Sequence, residues 1–140
     1  SDRIQIVVRF FGSPAEIHRN FDFVHCLNYY LAAEYKLVLD PAALECLLTR
    51  ELRYQGSLYP VSSVLRLRKF LTRGWTCNAG QQLKMLLQVS GLNLMDREVL
   101  EEQLVGVDAH YFSMFLSAVQ ESKQDLTPTY LAEVLDRIFG

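Results

Sequence analysis

The sequence predicts an α+β domain, with a small mixed or antiparallel sheet in the first third followed by a helical bundle. Three observations carry this reading. Runs rich in β-branched and aromatic residues, such as Ile4 to Phe11, crowd the first third of the chain. From Tyr59-Pro60 onward apolar residues recur at helical spacing. Capping residues, several followed by proline, mark helix starts along the way.

In order, Arg3 to Phe11 reads as a buried strand ended by Gly12. Ser13-Pro14-Ala15-Glu16 then supplies an N-cap serine, a first-turn proline and a capping-box glutamate, which start a short helix running to about Asn20. Asp22 to Tyr30 reads as a second, interior strand because Phe23, Val24, Cys26, Leu27 and Tyr29 are apolar on both faces. Lys36 to Leu39 returns antiparallel after a turn around Ala32 to Tyr35. Asp40-Pro41 caps a helix that ends near Arg50, and Leu52 to Gln55 adds a short strand before the Gly56-Ser57 turn. Five helices follow: Val61 to Arg73 closed by Gly74, Ala79 to Val89 capped by Asn78, Arg97 to Leu104 capped by Asp96, Ala109 to Glu121 capped by Asp108, and Pro128 to Phe139 capped by Thr127. In the last, Leu131, Val134, Leu135, Ile138 and Phe139 form one apolar stripe. The expected organisation is a strand-rich lobe over residues 1–57 and a helical lobe over 58–140, packed as one compact unit.

Composition narrows the function classes. The chain is 50% hydrophobic and 21% charged, which argues against disorder. Its apolar stretches stop well short of the roughly 20 residues needed to span a bilayer, so no membrane association is expected. Cys26, Cys46 and Cys77 are widely spaced among apolar neighbours and read as buried free thiols of a reducing, cytoplasmic compartment. His18, His25 and His110 show no metal-ligand or triad spacing.

Charge is uneven. Residues 1–76 carry ten Lys or Arg against seven Asp or Glu, and residues 77–140 carry four against nine. The basic excess lies between Arg50 and Arg73, where Arg50, Arg53, Arg66, Arg68, Lys69 and Arg73 face only Glu51. On the 61–73 helix, Val61, Val64, Leu65 and Leu71 gather on one side. Arg66, Lys69 and Arg73 gather with Ser62 on another, either to bind phosphates or as a solvated face. Arg68 falls among Val61, Val64 and Leu65, so its guanidinium needs a carboxylate, backbone carbonyls or a bound anion. Asp22, between Phe21 and Phe23, reads either as a metal or ribose contact or as the partner of a nearby arginine. Neither a glycine-rich phosphate loop, nor a nucleophile elbow, nor a D-x-D pair appears.

Several of these residues resemble motifs of the nucleotidyltransferases that include tRNA CCA-adding enzymes and bacterial poly(A) polymerases. Asp22-Phe23 resembles the D-F of their R-R-D-F-T motif, Asp40-Pro41 their D-P, and Arg50-Glu51-Leu52-Arg53 with Gly56 their R-x-L-R segment. Pro60 to Trp75 has the length of their neck helix, with Arg68 at its arginine and Gly74 at its end. Asn20-Phe21 replaces the arginine pair before Asp22. Leu58, Tyr59 and Ser62 stand at the E-D-x-x-R positions that choose the nucleotide, so CCA addition is not expected. There is also a similarity to phage and viral proteins with this type of fold.

The resemblance implies the later part of a longer nucleotidyltransferase-like protein, with the catalytic D-x-D before Ser1. Asp22 would then place Mg²⁺ or ribose, Arg68 would organise the cleft, and Arg50, Arg53, Arg66, Lys69 and Arg73 would meet phosphates of nucleotide or RNA. The alternative is a non-catalytic structural or protein-interaction domain of a virus or phage assembly, placed in host cytoplasm or virion and binding a protein partner or itself. Whether the chain is an enzyme stays open at this level.

Overall fold

A computed structural model describes residues 3–4, 6–107, 109–121 and 125–140, and it is α+β. Helix α1 spans Pro14–His18, strands β1 and β2 span Tyr29–Leu31 and Lys36–Val38, and helices α2 to α7 span Pro41–Thr49, Pro60–Thr72, Ala79–Ser90, Arg97–Leu104, Ala109–Glu121 and Pro128–Phe139. β1 and β2 pair antiparallel with Tyr30 opposite Leu37. Their connection is a 3-10 turn at Ala32–Glu34 closed by Tyr35 in the left-handed region.

The helix ends follow the caps. Ser13 and Glu16 form the reciprocal capping box. Asp40, Asp96 and Thr127 each accept a first-turn N–H, from Ala43, Glu98 and Tyr130. Arg50, with φ 54°, and Gly74, with φ 82°, end α2 and the α3 turn. Asn78 departs from the expectation, because its side chain caps nothing and donates to Glu51 Oε1 at 2.9 Å. The expected cap at Asp108 lies outside the described residues.

The strands are less extensive than the sequence predicts. Residues 6–11 join no sheet and bend at Arg9, although their composition is strongly β-forming; Gln5 lies outside the described residues. β-propensity measures how well a side chain fits a pleated, half-buried surface, and without a ladder partner it makes no strand. Ile4, Ile6, Val7, Val8 and Phe11 accordingly stay exposed. The expected interior strand from Asp22 is broken by a 3-10 turn at Val24–Cys26, and only an isolated bridge ties Phe23 to Tyr54. Leu52 to Gln55 contributes that bridge, while neighbouring Glu51 makes another, to Thr76.

Two hydrophobic clusters share α3. Val61 packs with Leu100, Leu104, Phe115, Val119, Leu131 and Val134 from α5, α6 and α7. On another face of α3, Leu67 and Phe70 pack with Trp75 and Cys77 against Phe23, Leu52, Tyr54 and Met85. Burial on two sides changes the expected face assignments. Val64 and Leu71 are exposed, whereas Arg66 is half-buried. The start of α3 has no side-chain cap of its own and is held by Gln103 of α5. Gln103 accepts from Val61 N–H at 3.4 Å and donates to the Leu58 carbonyl at 3.2 Å, and its own carbonyl accepts from Ser62 Oγ at 2.6 Å. The cysteines are free: Cys46 is buried, Cys77 half-buried and Cys26 exposed. Among the described residues no helix is long and apolar enough to cross a membrane, and no group of three or more His, Cys, Asp or Glu could hold a metal ion.

Candidate functional site

The site is built around Asp22. Gln55 N–H donates to the Asp22 carbonyl at 2.9 Å and Val24 N–H to the Arg53 carbonyl at 3.0 Å, which fixes this short stretch of extended backbone. Successive side chains in such a stretch point to opposite sides. Phe23 is fully buried in the smaller core and Asp22 faces the cleft, 8% exposed. There Asp22 Oδ2 accepts two bonds from Arg66 of α3, from Nε at 2.8 Å and Nη2 at 2.7 Å. The third guanidinium nitrogen of Arg66 donates to the Gly106 carbonyl at 2.9 Å, in the turn between α5 and α6. One ion pair thus joins the early chain, α3 and the α5–α6 turn.

Gly106 is what allows that turn to approach. A Cβ at this position would lie 2.8 Å from Ser62 Oγ and 3.2 Å from Tyr59 Cβ. The N-terminal stretch reaches the same region, where Arg9 donates to the Val105 carbonyl at 2.7 Å and lies 5.9 Å from the Tyr59 ring centroid. The resulting cavity measures about 580 Å³, with Asn20, Phe21, Ser57 and Val107 also on its wall. A second cavity of about 380 Å³ continues along α3 to Lys69, Tyr111 and Phe139. The two share Arg66, Gly106 and Val107, so Arg66 stands at the saddle of one elongated cleft. A more open depression of about 600 Å³ between α6 and α7 is lined by His110 but by none of the basic residues from 50 to 73 nor by Asp22.

The cationic residues from 50 to 73 do not converge. Arg66 and Lys69 line the cleft, with Lys69 Nζ 5.3 Å from the Tyr111 ring centroid. Arg53 makes a two-point contact with Glu45, at 3.0 and 3.1 Å, which holds the Glu45 carboxyl below its usual range and the guanidinium above its own. Arg68 donates to the carbonyls of Phe139 and Gly140 at 2.6 and 2.8 Å, closing the end of α7. Of the partners open to it in the sequence, backbone carbonyls are the ones it takes. Arg50 lies against the turn after α3, 3.8 Å from where a Cβ on Gly74 would sit, and Arg73 is exposed at the same end.

Beside Asp22, His25 is enclosed by the rings of Phe23, Phe70 and Trp75, at centroid distances of 6.1, 4.8 and 4.6 Å. Its Nδ1 is buried without a hydrogen-bond partner. Desolvation lowers its pKa below the ordinary 6.5, and the nearby Asp22 charge opposes this only in part. Cys26 is exposed as a residue, but its sulfur is desolvated. Together with the Asp22 charge, and against the opposing pull of Arg66, that pushes the thiol up to about 11 and keeps it a poor nucleophile at neutral pH.

Sequence reasoning missed Arg9, Tyr59 and Gly106. Gly106, between two valines in a helix–helix connection, was the readable signal, because glycine there marks close approach. Arg9 lies inside a run that looks like a buried strand, and nothing local identifies its carbonyl partner 96 residues away.

Residues 1–50 match the model of a family described as Gabija anti-defense 2 family protein, or Gad2, and these are 50 of the 140 residues. No curated protein and no solved structure shows a significant match to the chain. The family match overturns the nucleotidyltransferase resemblance, and the RNA-binding expectation drawn from it goes too. Its motifs were short pairs such as Asp-Phe and Asp-Pro. The match covers two of them, Asp22-Phe23 and Asp40-Pro41, and makes that stretch similar to a different family.

Proposed function

We propose that the chain is a non-catalytic, protein-binding module of a phage anti-defense protein, acting in the host cytoplasm by engaging a protein of the host's Gabija defence. The observation that carries this reading is the Gad2 match over residues 1–50. The same stretch exposes large apolar side chains: Ile4, Ile6, Val7, Val8 and Phe11 before α1, Tyr30, Tyr35 and Leu37 on the hairpin, and Leu48 on α2. Apolar side chains exposed along a run of sequence, as at Ile6, Val7 and Val8, gain by burial against a partner. Asp22, the carboxylate singled out in the sequence, is held on one oxygen by Arg66, which supports a structural role for it.

The test is phage growth on bacteria that carry Gabija and express the chain. Restored plaque formation, retained by Asp22→Asn at matched protein level, is the expected result. Restoration abolished by Asp22→Asn with protein level unchanged would show that the carboxylate does chemistry, and no restoration by the native chain would remove the anti-defense reading itself.

A further inference from the structure

The elongated cleft has a charge and an architecture that specify its occupant. Among the described residues its lining carries three cations, Arg9, Arg66 and Lys69, and one carboxylate, Asp22, already neutralised by Arg66. The cleft is therefore net positive on a protein whose formal net charge is −2. Its pattern is repetitive. On one side of Arg66 a cation lies over Tyr59, and on the other a cation lies over Tyr111. Val7, Phe10, Val107 and Phe139 add apolar surface to a wall that also carries Asn20, Ser57 and Asp22. Val7, Arg9 and Phe10 bring the stretch 6–11 onto this wall, and no backbone hydrogen bond ties that stretch to another described residue.

We infer that this cleft binds an acidic, apolar-interleaved peptide segment of the protein partner, with carboxylates at Arg9 and Lys69. The inference rests on the protein-binding reading above and names the chemistry of the partner's segment. Each part of the site has a matching role. Guanidinium and ammonium groups at intervals receive carboxylates, and the apolar part of the wall receives the apolar side chains. A nucleic acid fits less well, because bases stack on open aromatic faces. Here Arg9 and Lys69 already lie over the Tyr59 and Tyr111 rings.

The experiment measures fluorescence anisotropy of the purified chain with three labelled probes of equal length: a peptide of alternating Glu and Leu, one of alternating Lys and Leu, and oligothymidylate. The Glu-Leu peptide is expected to bind tightest, with affinity falling as salt rises. The double variant Arg9→Glu/Lys69→Glu, both sites exposed, should weaken it at least about tenfold, while Arg9→Lys loses far less. Circular dichroism melts check that the double variant folds. If it does not, the single variant Lys69→Glu on the exposed face of α3 carries the test. Tighter binding of oligothymidylate, or a folded charge-reversed variant that still binds the Glu-Leu peptide fully, overturns the inference. The double variant is also tested for complex formation with the Gabija proteins. A complex that forms unchanged with it removes the cleft assignment and leaves the protein-binding function standing. A chain that binds the Glu-Leu peptide but no Gabija protein keeps the cleft and removes the function.

Discussion

Removing either half of the Asp22–Arg66 pair should destabilise the fold by unequal amounts, and the inequality follows from exposure. The Asp22 side chain is 11% exposed and that of Arg66 37%. Asp22→Asn leaves a guanidinium that still reaches water and still donates to the Gly106 carbonyl. Solvent screening then limits the loss to about 1–2 kcal/mol. Arg66→Leu leaves a nearly buried carboxylate stripped of both its donors. Breaking a fully buried pair in this way costs about 3–5 kcal/mol, and the partial exposure of Arg66 reduces that to about 2–4 kcal/mol. For a chain of this size each kcal/mol lowers Tm by about 3–4 °C.

The assay is urea unfolding followed by the fluorescence of Trp75, the single tryptophan, which packs on Phe70 and His25 in the smaller core. Equal losses in the two variants, or a smaller loss in Arg66→Leu than in Asp22→Asn, would refute the reasoning.

Three further outcomes follow from the same geometry. Gly106→Ala places a methyl 2.8 Å from Ser62 Oγ and 3.0 Å from its Cβ, so α3 and the α5–α6 turn must separate. A loss of about 1–3 kcal/mol by urea unfolding is expected, and a neutral result would show that the approach is loose. His25 has its folded pKa lowered, so its stability contribution is fully present above 6.5 and is lost as pH falls through 6.5 and then the lower folded value. His25→Leu should flatten the stability profile across that window; an unchanged profile would assign the slope to other groups. Arg68→Ala removes both donors to the Phe139 and Gly140 carbonyls. Amide exchange of the last turn of α7 should then accelerate several-fold while the amides of α5 are unchanged, and uniform acceleration would count against a local role.

Helices were legible because their signals are local. Asp96 and Thr127 cap where their side chains and following residues said they would, and α5 and α7 have the predicted bounds. The strands were not legible because a strand needs a partner from elsewhere. The stretch from Ile6 to Phe11 carries every local mark of a strand, and residues 6–11 form none. On α3 a single-stripe reading fails because the helix is buried on two sides. Arg66, grouped by angle with Lys69 and Arg73, comes under Asp22 and the Gly106 carbonyl, contacts 44 and 40 residues away. The sequence offered Asp22 two roles, catalytic contact or partner to an arginine. Only the packing of the 105–107 turn on α3 shows which arginine stands beside it.

The most direct measurement of the central claim is size-exclusion chromatography with light scattering on the purified chain mixed with the purified Gabija proteins of a host, without nucleotide or metal added. A discrete complex of summed mass, formed equally by native chain and Asp22→Asn, is predicted. Separate elution of native chain and defence proteins under those conditions would contradict the account.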